Sequence, residues 1–316
     1  MAKTIYVTGA AGFIGSHLVD ALLARGHRVL GADSLALGRR ENLALALGNP
    51  RFVFQQLDVN DLAATMAFLR AHGPVDEAWH LAANSDIPAG VSDPDVDLNL
   101  TFLTTFNTLK AMHALGIPRL AFASSSAIYG QHDGDLREDT GPLFPISNYG
   151  AMKLASEGAI TAALERYLQQ AWIFRFPNVI GGRATHGVIY DFLKKLRADP
   201  AGLEVLGDGT QEKPYLHVTE LVEAMLFIRD HAAEKLNCHN IAPEGASTVR
   251  FIAESVVQAA APAARIRYTG GPRGWVGDVP RFSYSAEKLK KLGWSPRLAS
   301  NAAVGLAIRQ NLHLAK

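Results

Sequence analysis

Tyr149 and Lys153 stand four residues apart, so a helix running through them carries both side chains on one face, about a turn from each other. A free phenol loses its proton at about pH 10, and a neighbouring ammonium favours the phenolate, which makes such a pair a candidate general base. On most helices this spacing is only a solvated surface pair. Here the pair opens a helix that follows a strand-like run at 119–123, and that run ends in Ser124-Ser125-Ser126. A hydroxyl from the strand end can then meet the phenol at the carboxyl edge of a sheet, where open α/β folds bind ligands.

A second constellation lies at the amino terminus. Gly9-Ala10-Ala11-Gly12-Phe13-Ile14-Gly15 directly follows a strand-like run at 5–7 and opens a helix. There Gly9 can take a tight turn, Gly12 lets backbone N–H groups approach a pyrophosphate, and Gly15 lets helix and strand pack closely. The helix amino terminus attracts the anion. The spacing is G-x-x-G-x-x-G, and among 28 glycines three so placed can also form an ordinary turn. The strand before and the helix after favour a dinucleotide, with Phe13 and Ile14 in the same turn. Asp33 ends the second strand candidate, 18 positions beyond Gly15, where a carboxylate can accept hydrogen bonds from both adenosine ribose hydroxyls. It would repel a 2′-phosphate, and Arg39 and Arg40 lie six or more residues further on, so NAD is expected over NADP. A helix cap or turn is the alternative role for Asp33. Asp58 and Val59, past the third strand candidate, reach the adenine edge or sit in a plain loop.

These groups need a frame to hold them. Short apolar runs at 5–7, 29–32, 52–55, 77–80, 119–123 and 172–176 alternate with helical patterns, the sequence form of a parallel sheet with helices on both faces. Leu18, Leu22 and Leu23 mark a helix over 16–25 that stops at Gly26; Asp61 caps one running to about residue 70, and Ser147 or Asn148 precedes one over 149–168. The expected fold is therefore α/β, a doubly wound (Rossmann) parallel sheet with a smaller α/β carboxyl-terminal lobe. An NAD-binding domain is expected over 1–176, with segments near 212–242 returning to it. Residues 177–316 form mainly a substrate lobe, where the rhythm turns irregular around a helix at 188–196 and Gly207-Asp208-Gly209.

Bulk properties exclude other classes. With 316 residues, 48% hydrophobic and 19% charged, the chain can bury a large core. Lys plus Arg (31) balances Asp plus Glu (30), so no broad positive field exists for nucleic acid. Cys238 is the only cysteine, which rules out an intrachain disulfide and leaves a thiolate zinc site without ligands; a reducing cytoplasm is expected. The histidines lack ligand spacing such as H-E-x-x-H, so no metal is expected. No apolar run approaches the roughly 18 to 20 residues that span a bilayer, and neither signal peptide nor anchor is expected. His217, Trp275 and Trp294 are assigned to packing rather than to a site.

The glycine run, Asp33, His80-Leu81-Ala82-Ala83, Ser124-Ser125-Ser126-Ala127-Ile128-Tyr129-Gly130, Tyr149-Gly150-Ala151-Met152-Lys153, Arg175-Phe176-Pro177-Asn178-Val179 and Gly207-Asp208-Gly209 occur in a telling order. Over nearly the whole chain their order and spacing resemble the extended short-chain dehydrogenase/reductase family of the NAD-dependent epimerase/dehydratase type, and within it the hexose 4-epimerases. The resemblance implies a triad of Ser125, Tyr149 and Lys153. Ser125 is found by counting back four from Tyr129, with Ser124 and then Ser126 as the other choices. It implies cofactor contacts from Leu81, Ala82, Ala83, Tyr149 and Lys153, and substrate contacts from Ser125, Ser126, Tyr149 and Asn178, the last at a diphosphate. Arg273 takes a phosphate role, although alignment on Gly277-Asp278 puts Trp275 where the family has its arginine.

Dehydratases of this family carry an Asp-Glu pair directly after the catalytic hydroxyl, and its decarboxylases commonly a Glu. Here Ser126-Ala127 stands there, and neither side chain can do carboxylate work. The resemblance thus implies epimerisation at C4 of a nucleoside diphosphate hexose of the UDP-glucose/UDP-galactose type, through a transient 4-keto sugar. The alternatives are an NAD(P)-dependent sugar-nucleotide reductase or dehydrogenase, and a non-catalytic dinucleotide-binding regulatory protein. Two departures bear on the substrate: Thr101 replaces an asparagine near the nicotinamide, and Lys213-Pro214-Tyr215 replaces Arg-Asp-Phe. The family also implies a homodimer pairing helices over 99–115 and 149–168 across a two-fold axis.

Overall fold

The apolar runs line up as one sheet. Its strands are β1 (Thr4–Thr8), β2 (Arg28–Asp33), β3 (Phe52–Gln56), β4 (Glu77–His80), β5 (Arg119–Ala123), β6 (Gln170–Arg175) and β7 (Leu236–Asn240). The computed structural model describes residues 2–132, 134–272, 274 and 279–315. The strand order is β7-β6-β5-β4-β1-β2-β3, and the pairings from β3 through β1 to β6 are all parallel. This is the doubly wound α/β sheet expected. β1 from Ile5 to Thr8 and all of β4 are buried without alternation, as helices on both faces require. The chain winds outward from β1 to β3, then returns to lay β4 on the other side of β1. The topological switch therefore falls between Thr8 and His80, and a crevice opens at the carboxyl ends of those strands. The seventh strand, Leu-Asn-Cys-His-Asn, carries no apolar run to announce it.

Local chemistry sets the helix ends. The helix Phe13–Ala24 stops before Gly26, whose φ of 83° is left-handed and whose N–H donates to the Leu23 carbonyl. Asp61 accepts from Ala64 N to open Leu62–Ala71, and Ser147 accepts from Gly150 N to open Asn148–Leu164. The expected continuous helix over 99–115 is instead a wide π turn, Leu98–Leu103, followed by the helix Thr104–Leu115. Threonine hydroxyls account for the change: Thr104 Oγ1 donates to the Leu100 carbonyl and Thr105 Oγ1 to that of Thr101, competing with the regular ladder. Tyr6, Leu30, Phe68, Leu109, Leu120, Phe122 and Ile160 pack into one core on the sheet.

Contacts group Met1–Ile128, Pro145–Arg175 and Met225–His239 as one unit, and Tyr129–Phe144, Phe176–Ala224 and Asn240–Lys316 as another. The second unit carries short parallel pairs, Asn178–Ile180 with Tyr215–His217 and Gly202–Val205 with Arg265–Tyr268. Ile189, Phe192, Leu193, Ile252, Val256 and Val304, from helices Val188–Ala198, Val249–Ala260 and Ser300–Asn311, build its own core.

Candidate cofactor and catalytic site

The turn after β1 is shaped so that only glycine fits at two places. Gly9 has φ of 68°, and a methyl there would lie 2.8 Å from Ala82 N; a methyl on Gly15 would lie 1.9 Å from the Gly9 carbonyl oxygen. Gly12 caps the helix Phe13–Ala24 without a side-chain hydrogen bond, so no side chain competes with an anion at that helix end. Thr8 Oγ1 accepts from both Leu81 N and Ala82 N, which pins the segment after β4 beside Gly9. Asp33 is buried at the end of β2. One of its oxygens accepts from Ala11 N at 2.9 Å and the other from Leu35 N at 2.8 Å, tying the glycine turn to the loop after β2. Burial raises its carboxyl above the ordinary value, against the pull of those backbone donors. A side chain at Gly38 would collide with that carboxylate at 2.7 Å. Asp58 is exposed and accepts from Asn60 N in a turn, while Val59 is buried.

One strand away, β5 delivers three serines into different surroundings. The Ser124 hydroxyl is buried and donates to Glu157 Oε1, which also takes Arg175 Nε at 3.0 Å; the other Glu157 oxygen takes Arg175 Nη2 at 2.7 Å. Ser124 is therefore committed to a buried ion pair. Ser125 accepts from Ala127 N at 3.1 Å, and its hydroxyl neighbours the Tyr149 phenol, whose ionised form it favours. Ser126 begins a tight turn, Ser126–Tyr129. A methyl at Gly150 would lie 2.4 Å from the Ala127 carbonyl, so the glycine beside Tyr149 lets its helix close on that turn.

Lys153 is 2% exposed, donates to the Ala123 carbonyl at 2.7 Å, and has its ammonium 5.8 Å from the Tyr149 ring centre. Burial pushes its pKa down to about 7, against Glu157 and Asp97, whose charges raise it. Tyr149 is half-buried. Desolvation pushes its phenol up to about 12; the Ser125 hydroxyl works the other way, and the Asp97 charge adds to the rise. His80 is fully buried, hydrogen-bonded to Thr8 at 2.7 Å and Thr105 at 3.0 Å, and burial, aided by Lys153, lowers it to about 3. It is neutral at physiological pH and serves as a strut between β1, β4 and the helix Thr104–Leu115.

The first unit thus brings together Gly9, Gly12, Phe13, Ile14, Gly15, Asp33, Leu81 and Ala82 at one strand edge, and Ser125, Tyr149 and Lys153 at the next. Ala83 follows Ala82 and is half-buried. Asn178 is exposed at the start of a strand in the second unit, and Arg273 and Trp275 lie outside the described residues. His217 is buried between Thr219 and Gln310, and Trp294 is buried. Among the described residues, no three His, Cys, Asp or Glu side chains gather as a metal site, and no helix is long and apolar enough to cross a membrane. Sequence reasoning passed over Glu157 and Asp97. Glu157 could have been found, since 149, 153 and 157 share one helix face.

A glycine cradle at a Rossmann switch point, beside neighbouring Ser and Tyr hydroxyls with a buried lysine, defines a dinucleotide-dependent enzyme of the short-chain type. The profile of the NAD dependent epimerase/dehydratase family matches residues 5–242, and the chain belongs to that family. It is 31% identical over 317 residues to the UDP-glucose 4-epimerase of Lacticaseibacillus casei, covering 93% of this chain and 92% of that one. A UDP-galactose 4-epimerase structure superposes with a TM-score of 0.84 at 35% identity, covering 97% and 98% of the two chains. The NAD complex of the Thermus thermophilus UDP-glucose 4-epimerase gives 0.85 at 29%, with the same coverage. NAD is the cofactor, and the residues present fit it. The glycine turn carries no polar side chain to compete with a pyrophosphate, the helix end lacks a side-chain cap, and each Asp33 oxygen retains acceptor capacity for a ribose hydroxyl.

Proposed function

We propose that this chain inverts C4 of a nucleoside diphosphate hexose, UDP-glucose and UDP-galactose being the favoured pair, by way of a transient 4-keto sugar. The observation that carries this reading is the Ser125–Tyr149–Lys153 arrangement with no carboxylate following Ser125. Bound NAD supplies a hydride acceptor that can return what it takes. Tyr149 removes the proton of the C4 hydroxyl, and Ser125 holds that oxygen in line. Lys153, anchored on the Ala123 carbonyl, supplies the positive charge that favours the phenolate. Ser126 and Ala127 offer no acid or base for losing water or carbon dioxide, so the keto sugar has no outlet but reduction. Asn178, and by analogy Arg273, would hold the diphosphate. The half-exposed Phe106 and Leu98, on the helix Thr104–Leu115 and the π turn before it, support a homodimer through that face.

The test is to incubate the protein separately with UDP-glucose, UDP-N-acetylglucosamine and UDP-glucuronate without added reductant, resolve C4 epimers by chromatography and follow NADH by absorbance. Conversion of one sugar without accumulating NADH is expected. Turnover only with stoichiometric NADH formation, or only with a supplied reductant, would replace this reading with a dehydrogenase or reductase.

A further inference from the structure

Asp97 is fully buried, yet it is not an ordinary ion-pair member. Its Oδ1 accepts from Asn84 Nδ2 at 2.9 Å and from Thr101 Oγ1 at 3.5 Å, and Thr101 Oγ1 in turn accepts from Asn84 N at 3.1 Å. Its Oδ2 has no hydrogen-bond partner among the described residues, and a methyl at Gly90 would lie 1.7 Å from it. That glycine sits in the short helix Ile87–Ser92, whose Gly90 carbonyl accepts from Asn148 Nδ2 at 2.8 Å, immediately before Tyr149. A buried carboxylate with an unsatisfied oxygen is costly and needs a reason. The short helix Pro94–Asp97, which ends at this carboxylate, packs against the helix Asn148–Leu164 that carries Tyr149 and Lys153, so the Asp97 charge acts on both.

We propose that Asp97 is a positioning residue for the Tyr149–Lys153 pair: a fixed negative charge, clamped by Asn84 and Thr101, that sets the pH range in which the phenol and the ammonium hold their protons. This rests on the proton-transfer role given to Tyr149 above. The other titratable groups around the pair are Glu157, one turn beyond Lys153 and paired with Arg175, and His80 of β4, which is neutral; Asp86 acts on Asp97 itself. Burial raises the Asp97 carboxyl, while Asn84, Thr101 and the Lys153 charge pull it back. A negative charge here raises the pKa of both neighbours, so removing it moves both titrations to lower pH.

The experiment compares wild type with two neutral replacements of different shape, Asp97→Asn and Asp97→Ser, each in the NAD-loaded enzyme. Tyrosinate absorbance is titrated against a Tyr149→Phe blank, and kcat is measured against pH. Both the tyrosinate transition and the two limbs of the rate profile are expected to move down by roughly 0.5 to 1 pH unit. A fall in kcat or in Tm with unmoved transitions would make Asp97 a packing residue and overturn the proposal. Because the tyrosinate titration needs no turnover, it separates this outcome from a wrong choice of reaction: a shifted transition in a protein that epimerises nothing sinks the reaction and keeps Asp97.

Discussion

Ser124 and Ser125 are adjacent, chemically identical and separable by mutation. Ser125→Ala removes the hydroxyl that favours ionisation of Tyr149, which is also the group proposed to hold the substrate oxygen. Loss of one such preorganised donor costs about 2.7 to 4 kcal/mol of barrier, which is a fall of about 10²- to 10³-fold in kcat. Its stability cost is small, because Ser125 is half-buried and the bond it accepts from Ala127 N is only partly buried. Ser124→Ala does the reverse. It removes a buried donor to Glu157, a charge-assisted bond worth about 1.5 to 3 kcal/mol, while Arg175 keeps both of its bonds to that carboxylate. The Tm is then expected to fall by about 3 to 6 °C, with kcat changed by less than about tenfold. Steady-state kinetics on the sugar that turns over, with thermal unfolding of each variant, gives both readouts. If Ser124→Ala loses a hundredfold in kcat at unchanged Tm while Ser125→Ala stays active, the serine assignment is wrong, and with it the geometry drawn for the phenol.

Other perturbations reach different parts of the molecule. Gly15→Ala puts a methyl 1.9 Å from the backbone oxygen of Gly9, an overpacking cost of about 1 to 3 kcal/mol that opens the turn; NAD affinity should fall at least about tenfold by calorimetric titration, and unchanged affinity would move the pyrophosphate elsewhere. Burial alone would raise the Glu77 carboxyl, but Arg229, Trp79 and Lys3 outweigh it and hold its pKa below the ordinary value. Its stabilisation is therefore present above the unfolded-state pKa of about 4.5 and is lost as pH falls through the lower folded-state value. Chemical denaturation from pH 7 downward should show that loss, and Glu77→Gln should flatten it while costing about 3 kcal/mol at pH 7. NAD carries a positive nicotinamide, so its addition should bring the Tyr149 transition down from about 12 by about 1 to 3 pH units in the tyrosinate titration; an unmoved transition would remove the charge argument for the base.

Where a decision is local, the amino-acid order discloses it. Gly26 stops a helix because only glycine is relaxed at its positive φ, and Ser147 starts one because its hydroxyl reaches an amide three residues on. β1 is legible because a strand buried on both faces reads as an unbroken apolar run, here Ile5-Tyr6-Val7. β7 is not legible, since Asn237, His239 and Asn240 are buried by position in the sheet rather than by apolar character. The π turn at Leu98–Leu103 arises from threonine hydroxyls whose partners include Asn84, fifteen or more residues away. The candidate site divides the same way. Tyr149, Lys153 and the glycine run announce themselves by spacing, whereas the choice between Ser124 and Ser125 depends on Glu157 and Arg175, 33 and 51 positions downstream of Ser124.

The charges around Tyr149 explain why so many of these partners are distant. Burial acts on the phenol and the ammonium in opposite directions, pushing one up to about 12 and the other down to about 7, and both shifts work against a phenolate held by a cation. In this setting the lysine loses its proton before the phenol does, and without neighbouring carboxylates it would lose it at still lower pH. Glu157 and Asp97 hold the Lys153 pKa up to about 7, and Asp97 does so at the expense of Tyr149, whose phenol it makes harder to ionise. The chain without cofactor is thus balanced toward a neutral phenol and a partly charged lysine. At the site proposed, a positive nicotinamide would tip that balance, because its charge would oppose that of Asp97 at Tyr149. On the role proposed for Tyr149, proton abstraction would in this way be confined to molecules already holding the hydride acceptor, and a sugar bound without it would meet a protonated tyrosine.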